Sequence, residues 1–202
     1  KLNMRLTILA TLLMLTSITS NAQEKKFEHN IYVSGGLFID NTSGDTETGM
    51  SIKMGYGLNY YLSDKLSIMP GVAIRQDVVS PFSSSEGADN DGFTFLDVPI
   101  IMQYHIQEGN NAWVLGLGPV LSFCVKNDQY YYDARPNDPA FPSTDKIKNF
   151  NIGIQPSIMY QTGKFRIGIE GNAGLLNVAK QRPNFSDTKH IHDIVASIYY
   201  HF

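Results

Sequence analysis

Cysteine, basic side chains and long apolar runs are all scarce in this sequence. The single Cys124 excludes an intramolecular disulfide, and the absence of CxxC pairs or a cysteine–histidine cluster argues against zinc. No stretch has the length and apolarity of a mature transmembrane helix. Without the first 22 residues, 14 basic and 19 acidic side chains remain, a net charge of about −5. This negative net charge argues against a nucleic-acid-binding protein, which has a basic surface.

The first 22 residues have the three zones of a secretory signal peptide. A basic start at Met4-Arg5 is followed by a short apolar run and by small residues up to Ala22. The run is roughly half the ~20 residues that a spanning helix needs. We therefore predict export, with cleavage between Ala22 and Gln23 and with residues 1–3 upstream of the expected start. The residue directly after the cleavage point is Gln23 and not a cysteine, so we expect no lipid anchor.

After a polar periplasmic lead-in over residues 23–30, apolar and polar residues alternate with a period of two, which is typical of β-strands. The clearest case is a hairpin from Phe150 to Ala173, folded over a turn at Gln161–Lys164. Ile154 and Ile158 fall on its apolar face. In all, the pattern predicts eight strands: Ile31–Asp40, Met50–Ser63, Leu66–Arg75, Phe93–Ile106, Trp113–Lys126, Phe150–Gln161, Phe165–Ala173 and Ile191–Phe202.

The connections between these strands alternate between long and short. The long loops are predicted at 41–48, 77–92, 127–149 and 180–189. An up-and-down meander gives this alternation when the connections are short at one rim and long at the other. Bacterial outer-membrane barrels have short periplasmic turns and long outer loops. The sequence therefore predicts an all-β fold. It is an eight-stranded antiparallel up-and-down transmembrane β-barrel over residues 31–202, in the bacterial outer membrane.

A soluble barrel is the alternative, with its apolar face inside around a ligand. However, one face of the eight strands is almost free of charge and would aggregate in water, whereas a bilayer requires such an exterior. The other face carries charges that would lie in a narrow lumen. We expect six of them to form a structural salt-bridge network, with slow leakage of small ions as the alternative role: Lys53, Arg75, Asp97, Arg166, Glu170 and Asp193.

Three short segments carry a family resemblance: Phe95–Tyr104, Gly116–Pro119, and Ile167–Glu170 leading to Gly174–Val178. They resemble the PorT-like outer-membrane β-barrel family, whose members are similar in shape to the small OmpA and OmpX barrels. The terminal aromatics Tyr200 and Phe202 look like the signal by which the barrel-assembly machinery recognises such proteins during insertion. The resemblance implies location and shape only, because the family has no single activity and some members serve secretion or gliding machinery.

Residues for catalysis or metal binding are few. His105 and His201 are expected near the periplasmic rim and His190 and His192 near the outer rim, and no serine nucleophile elbow accompanies them. His190 and His192 could coordinate a metal ion, but they lack a third ligand. We therefore predict no catalytic, cofactor-binding or metal-binding residues.

The longest loop contains three consecutive tyrosines, Tyr130, Tyr131 and Tyr132, close to three prolines. Tyrosine supplies rigid amphipathic contact area, so these residues are candidates for contact with a protein partner. A loop packed on itself over the barrel mouth is the alternative. The sequence thus favours a non-enzymatic barrel in contact with outer-membrane lipid, with a structural or interaction role through its loops that could be accessory to secretion or surface machinery. The other candidates are a lipid-modifying barrel enzyme and a narrow small-ion pore.

Overall fold

The computed structural model describes residues 27–42, 45–79, 92–128, 147–179 and 188–202. Within these ranges, eight antiparallel strands pair in sequence order, and β8 pairs with β1 to close the barrel. The predicted fold class is therefore confirmed. No helix among the described residues is long and apolar enough to cross a membrane. The strands are β1 (Phe27–Thr42), β2 (Asp45–Ser63), β3 (Leu66–Val79), β4 (Gly92–Glu108), β5 (Asn111–Asp128), β6 (Phe150–Thr162), β7 (Phe165–Gly174) and β8 (Lys189–His201).

The apolar side chains of the barrel wall point outward, as the alternation predicts. Ile154 and Ile158 are 42% and 48% exposed, whereas Arg75 and Glu170 on the opposite face are 1% exposed. Successive residues of a strand point to opposite faces, so this single choice of face fixes the direction of every side chain along the strand. The ionic residues are consequently enclosed in the lumen.

Short turns and both described ends of the chain mark one rim of the barrel. Three described two-residue turns lie at this rim, at Asp64–Lys65, Gly109–Asn110 and Gly163–Lys164. Gly109 and Gly163 have φ values of 61° and 54°, in the left-handed region where glycine carries no steric cost. Short turns are typical of the periplasmic rim, so we assign this rim to the periplasmic side.

Aromatic rings form a band on the outer wall near that rim. They meet in cross-strand pairs with ring centroids 5.0–5.4 Å apart, in the range of favourable aromatic contacts. Amphipathic rings are typical of the interface between the hydrocarbon and the aqueous phase. The pairs are Phe27–Tyr60, Trp113–Tyr160 and Phe165–Tyr200.

Several predicted boundaries are wrong. The long loop predicted at 41–48 is mostly strand, because β1 ends at Thr42, β2 begins at Asp45, and the two strands pair up to Thr42–Asp45. β1 begins at Phe27, so residues 27–30 belong to the barrel and not to the lead-in predicted over 23–30. β3 continues to Val79, although the loop was predicted to begin at Asp77. At the start of β1 and at the end of β3, a charged residue that looks loop-like in the sequence finds a buried partner in the lumen. The cleavage site at Ala22 and Gln23 lies outside the described residues, as do the loop tyrosines 130–132.

Four prolines, Pro70, Pro99, Pro119 and Pro156, lie within the strands, and each of them falls inside a gap of one strand ladder. Proline has no backbone N–H to donate, so a closed barrel must lose a pair at each one. The β2–β3 ladder has no pairs between Gly57–Gly71 and Tyr60–Ile68, and the β3–β4 ladder has none between Pro70–Ile100 and Ala73–Asp97. The β4–β5 ladder has none between Pro99–Val120 and Met102–Leu117, and the β6–β7 ladder has none between Ile154–Ala173 and Ser157–Glu170. The first three gaps lie on consecutive ladders, from β2 to β5.

Candidate functional site

An ionic cluster occupies the centre of the lumen. The Arg75 Nε donates to Asp97 Oδ2 at 2.8 Å, and its Nη1 lies 3.5 Å from Asp193 Oδ2 and in contact with Asp77. The Lys53 ammonium lies 3.7 Å from Glu170 Oε2 and 3.9 Å from Asp193 Oδ1. We call this set the central ionic cluster: Lys53, Arg75, Asp77, Asp97, Glu170 and Asp193.

The central ionic cluster contains five of the six residues predicted for the lumen network, together with Asp77. All six members are at most 3% exposed. The sequence pattern assigned Asp77 to a loop, yet its position two residues after Arg75 on the same strand puts both on the inner face. That spacing is the signal that could have identified it. With two cations and four carboxylates, the cluster carries an excess of acidic groups.

Arg166, the remaining predicted residue, belongs to a separate cluster nearer the periplasmic rim. Its Nη2 lies 3.2 Å from Glu28 Oε1 and 2.8 Å from Gln161 Oε1, while Nη1 donates to Gln103 at 3.2 Å. Glu28 also accepts from Tyr61 at 3.2 Å. The prediction of one network containing Arg166 is therefore wrong. The Arg166 guanidinium is paired locally with Glu28, a residue that the sequence pattern places in the lead-in.

Two apolar groups flank the central ionic cluster. On the periplasmic side, the rings of Tyr32 and Tyr199 stack at 4.4 Å above buried aliphatic and methionine side chains. The Tyr199 hydroxyl donates to Glu170, which joins this group to the ionic cluster. On the outer side lies a second group, the outer apolar group: Phe38, Phe93, Phe95, Ile147, Val178 and Ile191.

Two cations lie against aromatic rings of the outer apolar group. The Arg75 guanidinium lies 4.4 Å from the centre of the Phe95 ring, and the Lys189 ammonium lies 5.4 Å from that of Phe93. Lys189 also pairs with Asp40 at 2.6 Å. Val178, which follows the end of β7, is fully buried in this group. Buried side chains of the outer apolar group thus occupy the lumen on the outer side of the central ionic cluster.

A serine–histidine pair lies at the periplasmic end of the lumen. The Ser67 hydroxyl is 2.8 Å from His105 Nε2, a distance suited to a nucleophile and its base. Sequence analysis missed this pair because its two members are on different strands. However, Ser67 is 0% exposed and His105 is 2% exposed. The geometry supports a structural hydrogen bond, since no substrate can reach the hydroxyl in this arrangement.

His190 and His192 are near the outer end of β8, where their rings stack with centroids 6.3 Å apart. No group of three or more histidine, cysteine, aspartate or glutamate side chains in the described part of the chain could hold a metal ion. His201 is at the periplasmic end, where its Nε2 lies 2.8 Å from the Gly163 carbonyl oxygen. The histidines thus divide between the two rims and form no common site.

Tyr200 and Phe202, the predicted assembly signal, are at the end of β8 on the outer face. The Phe202 backbone N–H donates to the His29 carbonyl at 3.1 Å, which extends the contact between β8 and β1 to the last residue. The two rings stack with centroids 6.2 Å apart. They lie in the aromatic band of the periplasmic rim.

Comparison with known proteins gives a family match over most of the chain. A model of the family described as outer membrane protein beta-barrel domain matches residues 8–180. A sequence search of curated proteins found no match.

Among solved structures, the barrel is similar to Neisserial surface protein A, with a TM-score of 0.52 and 10% identity over 86% of this chain and 97% of that chain. It is similar to the outer membrane enzyme PagL with a TM-score of 0.50 and 9% identity, over 85% of this chain and 98% of that one. Ail, the attachment invasion locus protein of Yersinia pestis, has a TM-score of 0.48 and 12% identity over 88% and 99% of the two chains. At these identities, the similarity concerns the fold alone.

Proposed function

The chain belongs to the outer membrane protein β-barrel domain family and lies in the bacterial outer membrane, and from this premise we propose that it is a non-enzymatic, non-conducting scaffold. Its task is to hold the outer loops at the cell surface, where they engage another molecule. The observation that carries the proposal is the filled lumen. Arg75, Phe38 and Phe95 are among the largest side chains in the protein and are at most 1% exposed inside the wall.

The filled lumen argues against the pore. An eight-stranded barrel has an interior that side chains alone can fill. The outer apolar group then adds a barrier to ions, because an ion crossing it would lose its hydration without gaining a ligand. Slow leakage of small ions would require Phe38, Phe93 and Phe95 to move apart.

The enzyme alternative draws on PagL, whose name describes an outer membrane enzyme of similar fold. The Ser67–His105 pair is a serine–histidine hydrogen bond with the geometry of a nucleophile and its base. Its complete burial favours the scaffold over the enzyme.

We propose two kinds of protein partner for the barrel. The resemblance to PorT-like proteins favours an accessory role in secretion or surface machinery, and the tyrosines 130–132 supply the proposed contact surface for a protein. The barrel-assembly machinery is the partner proposed for insertion, through Tyr200 and Phe202.

Crosslinking in intact outer membranes tests the scaffold. Partners captured by the wild-type protein should be lost when Tyr130, Tyr131 and Tyr132 are all replaced by serine, while the barrel itself still folds. Capture of the same proteins by both forms would contradict a role for this loop.

Two further measurements separate the alternatives. In planar bilayers the wild-type barrel should show no steady conductance, and the double variant Phe38→Ala/Phe95→Ala should show more. Steady current through the wild type would refute the non-conducting scaffold. Lipid A mass spectra should be the same with the wild type and with Ser67→Ala, and a modification that depends on Ser67 would establish the enzyme instead.

A further inference from the structure

An apolar groove runs along the lipid-facing wall across β3, β4 and β5. Its volume is about 550 Å³, within the ~300–1,000 Å³ range of small-molecule sites. The side chains that border it include Leu66, Ile100, Met102, Tyr104, Leu117 and Pro119. We call it the β3–β5 groove.

Interrupted strand pairing accompanies the groove. Pro119 lines its upper end, and the β4–β5 ladder has no pairs between Pro99–Val120 and Met102–Leu117. Backbone groups without a ladder partner cannot bond to water at this depth, so the wall is locally less constrained here than along its continuous ladders. A second apolar groove of about 450 Å³, at Ile31, Met54 and Ile198, borders β1 and β2, whose ladder has no such gap. The interrupted pairing therefore distinguishes the β3–β5 groove from this second groove.

The groove extends over most of the periplasmic leaflet of the membrane. Its lower end, at Leu66 and Tyr104, adjoins the Asp64–Lys65 turn of the periplasmic rim, and Ile100 lines its upper part. The four residue steps from Tyr104 to Ile100 span about 13 Å along the strand. At the usual strand tilt this is roughly 10 Å along the membrane normal, somewhat less than half of the ~25 Å apolar band of such a barrel. An occupant that enters from the periplasmic side would therefore extend towards the membrane centre.

A cation is available at the entrance. Lys65 is exposed and directly precedes Leu66, and its carbonyl accepts a hydrogen bond of 2.8 Å from the His105 backbone N–H. That bond holds the turn against the start of the groove. Asp64 is the adjacent acid and is also exposed. An ammonium group at the interface favours an anionic group such as a phosphate.

From this geometry we propose that the β3–β5 groove is a binding site for one phospholipid of the periplasmic leaflet. One acyl chain lies along Met102 and Leu117, and the phosphate lies at the rim beside Lys65. The proposal depends on the location of the barrel in the membrane and not on the partner proposed for its outer loops. The two can therefore fail independently.

Native mass spectrometry of the purified protein tests the site. After reconstitution with phosphatidylglycerol and phosphatidylcholine and return to detergent, the wild type should retain one phospholipid, with phosphatidylglycerol preferred. Leu117→Phe should fill the groove and lower the lipid-bound fraction at least threefold. Ile169→Phe is the matched control, because Ile169 is similarly exposed, at 55% against 59% for Leu117, on β7 away from the groove.

The charge variants test the headgroup contact. Lys65→Gln should remove the preference for phosphatidylglycerol, whereas Asp64→Asn should keep or increase it. Trp113, the single tryptophan, lies near the periplasmic end of β5 and gives a second readout by quenching with brominated forms of the two lipids. Faster migration of each unheated variant on gels, relative to the heated sample, establishes that its barrel is folded. Equal lipid retention by Leu117→Phe, Ile169→Phe and the wild type would overturn the proposal, and so would a preference that Lys65→Gln leaves unchanged.

Discussion

Replacing Arg75 by methionine should be among the most destabilising single substitutions in the lumen. Arg75 pairs with Asp77, Asp97 and Asp193 at once, and its guanidinium lies over the Phe95 ring. Lys53, the other cation of the central ionic cluster, pairs with Glu170 and Asp193. In the variant, Asp77 and Asp97 therefore keep no ion pair among the described residues.

The size of the effect follows from burial. Removing one partner of a buried ion pair costs about 3–5 kcal/mol, because the remaining charge stays out of water without compensation. Methionine restores part of the apolar contact with Phe95, so we expect a loss of about 3–4 kcal/mol in the free energy of unfolding. Arg166→Met is the comparison. Among the described residues its guanidinium has one carboxylate partner, Glu28, and we expect a loss of about 1.5–3 kcal/mol.

Urea unfolding in lipid vesicles, followed by the fluorescence of Trp113, measures these losses. Asp97→Asn in the Arg75→Met background should cost less than it does in the wild type, with a coupling energy of about 1 kcal/mol or more. An unfolding free energy of Arg75→Met within about 0.5 kcal/mol of the wild type would refute the reasoning, since that is the range of ordinary surface substitutions.

Two further predictions concern other parts of the chain. Glu170→Ala should lower the heat-unfolding temperature on gels, because Tyr199 loses its acceptor and Lys53 loses a carboxylate; Glu170→Gln should lower it less, and an unchanged temperature for the alanine variant would count against the network. The intact mass of the protein isolated from outer membranes should correspond to a chain that begins at Gln23. A mass that includes Ala22 would show that the predicted cleavage site is wrong.

Much of the wall could be predicted from the sequence, because a lipid-facing strand leaves a strong signal. At Ile154 and Ile158, and along β2 and β8, alternation alone identified the outer face, and the structure has the same residues outside. A shift of one residue would turn all of these side chains inward, so the pattern fixes the register strictly. Short turns with glycine then fixed the periplasmic rim.

The partners within the lumen could not be predicted in the same way. Glu28 and Asp77 sit in charged, loop-like segments, and only the closed barrel shows that each faces a buried arginine. The pair formed by Glu28 and Arg166 joins residues 138 positions apart. The Ser67–His105 contact likewise depends on which strands are neighbours. The periodicity of the sequence predicts which face of the sheet a side chain points to, but it does not predict which residue that side chain contacts in the lumen.

The ionic interior also limits the route by which the chain can enter the bilayer. An isolated β2–β3 hairpin would bring Lys53 and Arg75 into hydrocarbon, at a cost of about 2–4 kcal/mol for each cation at the midplane. Asp77 already lies beside Arg75 on β3, but the other counter-ions, Asp97, Glu170 and Asp193, lie on β4, β7 and β8, and β8 is the last of the eight strands along the chain. Strand-by-strand insertion is therefore unfavourable, and translocation of the charged face must coincide with ring closure.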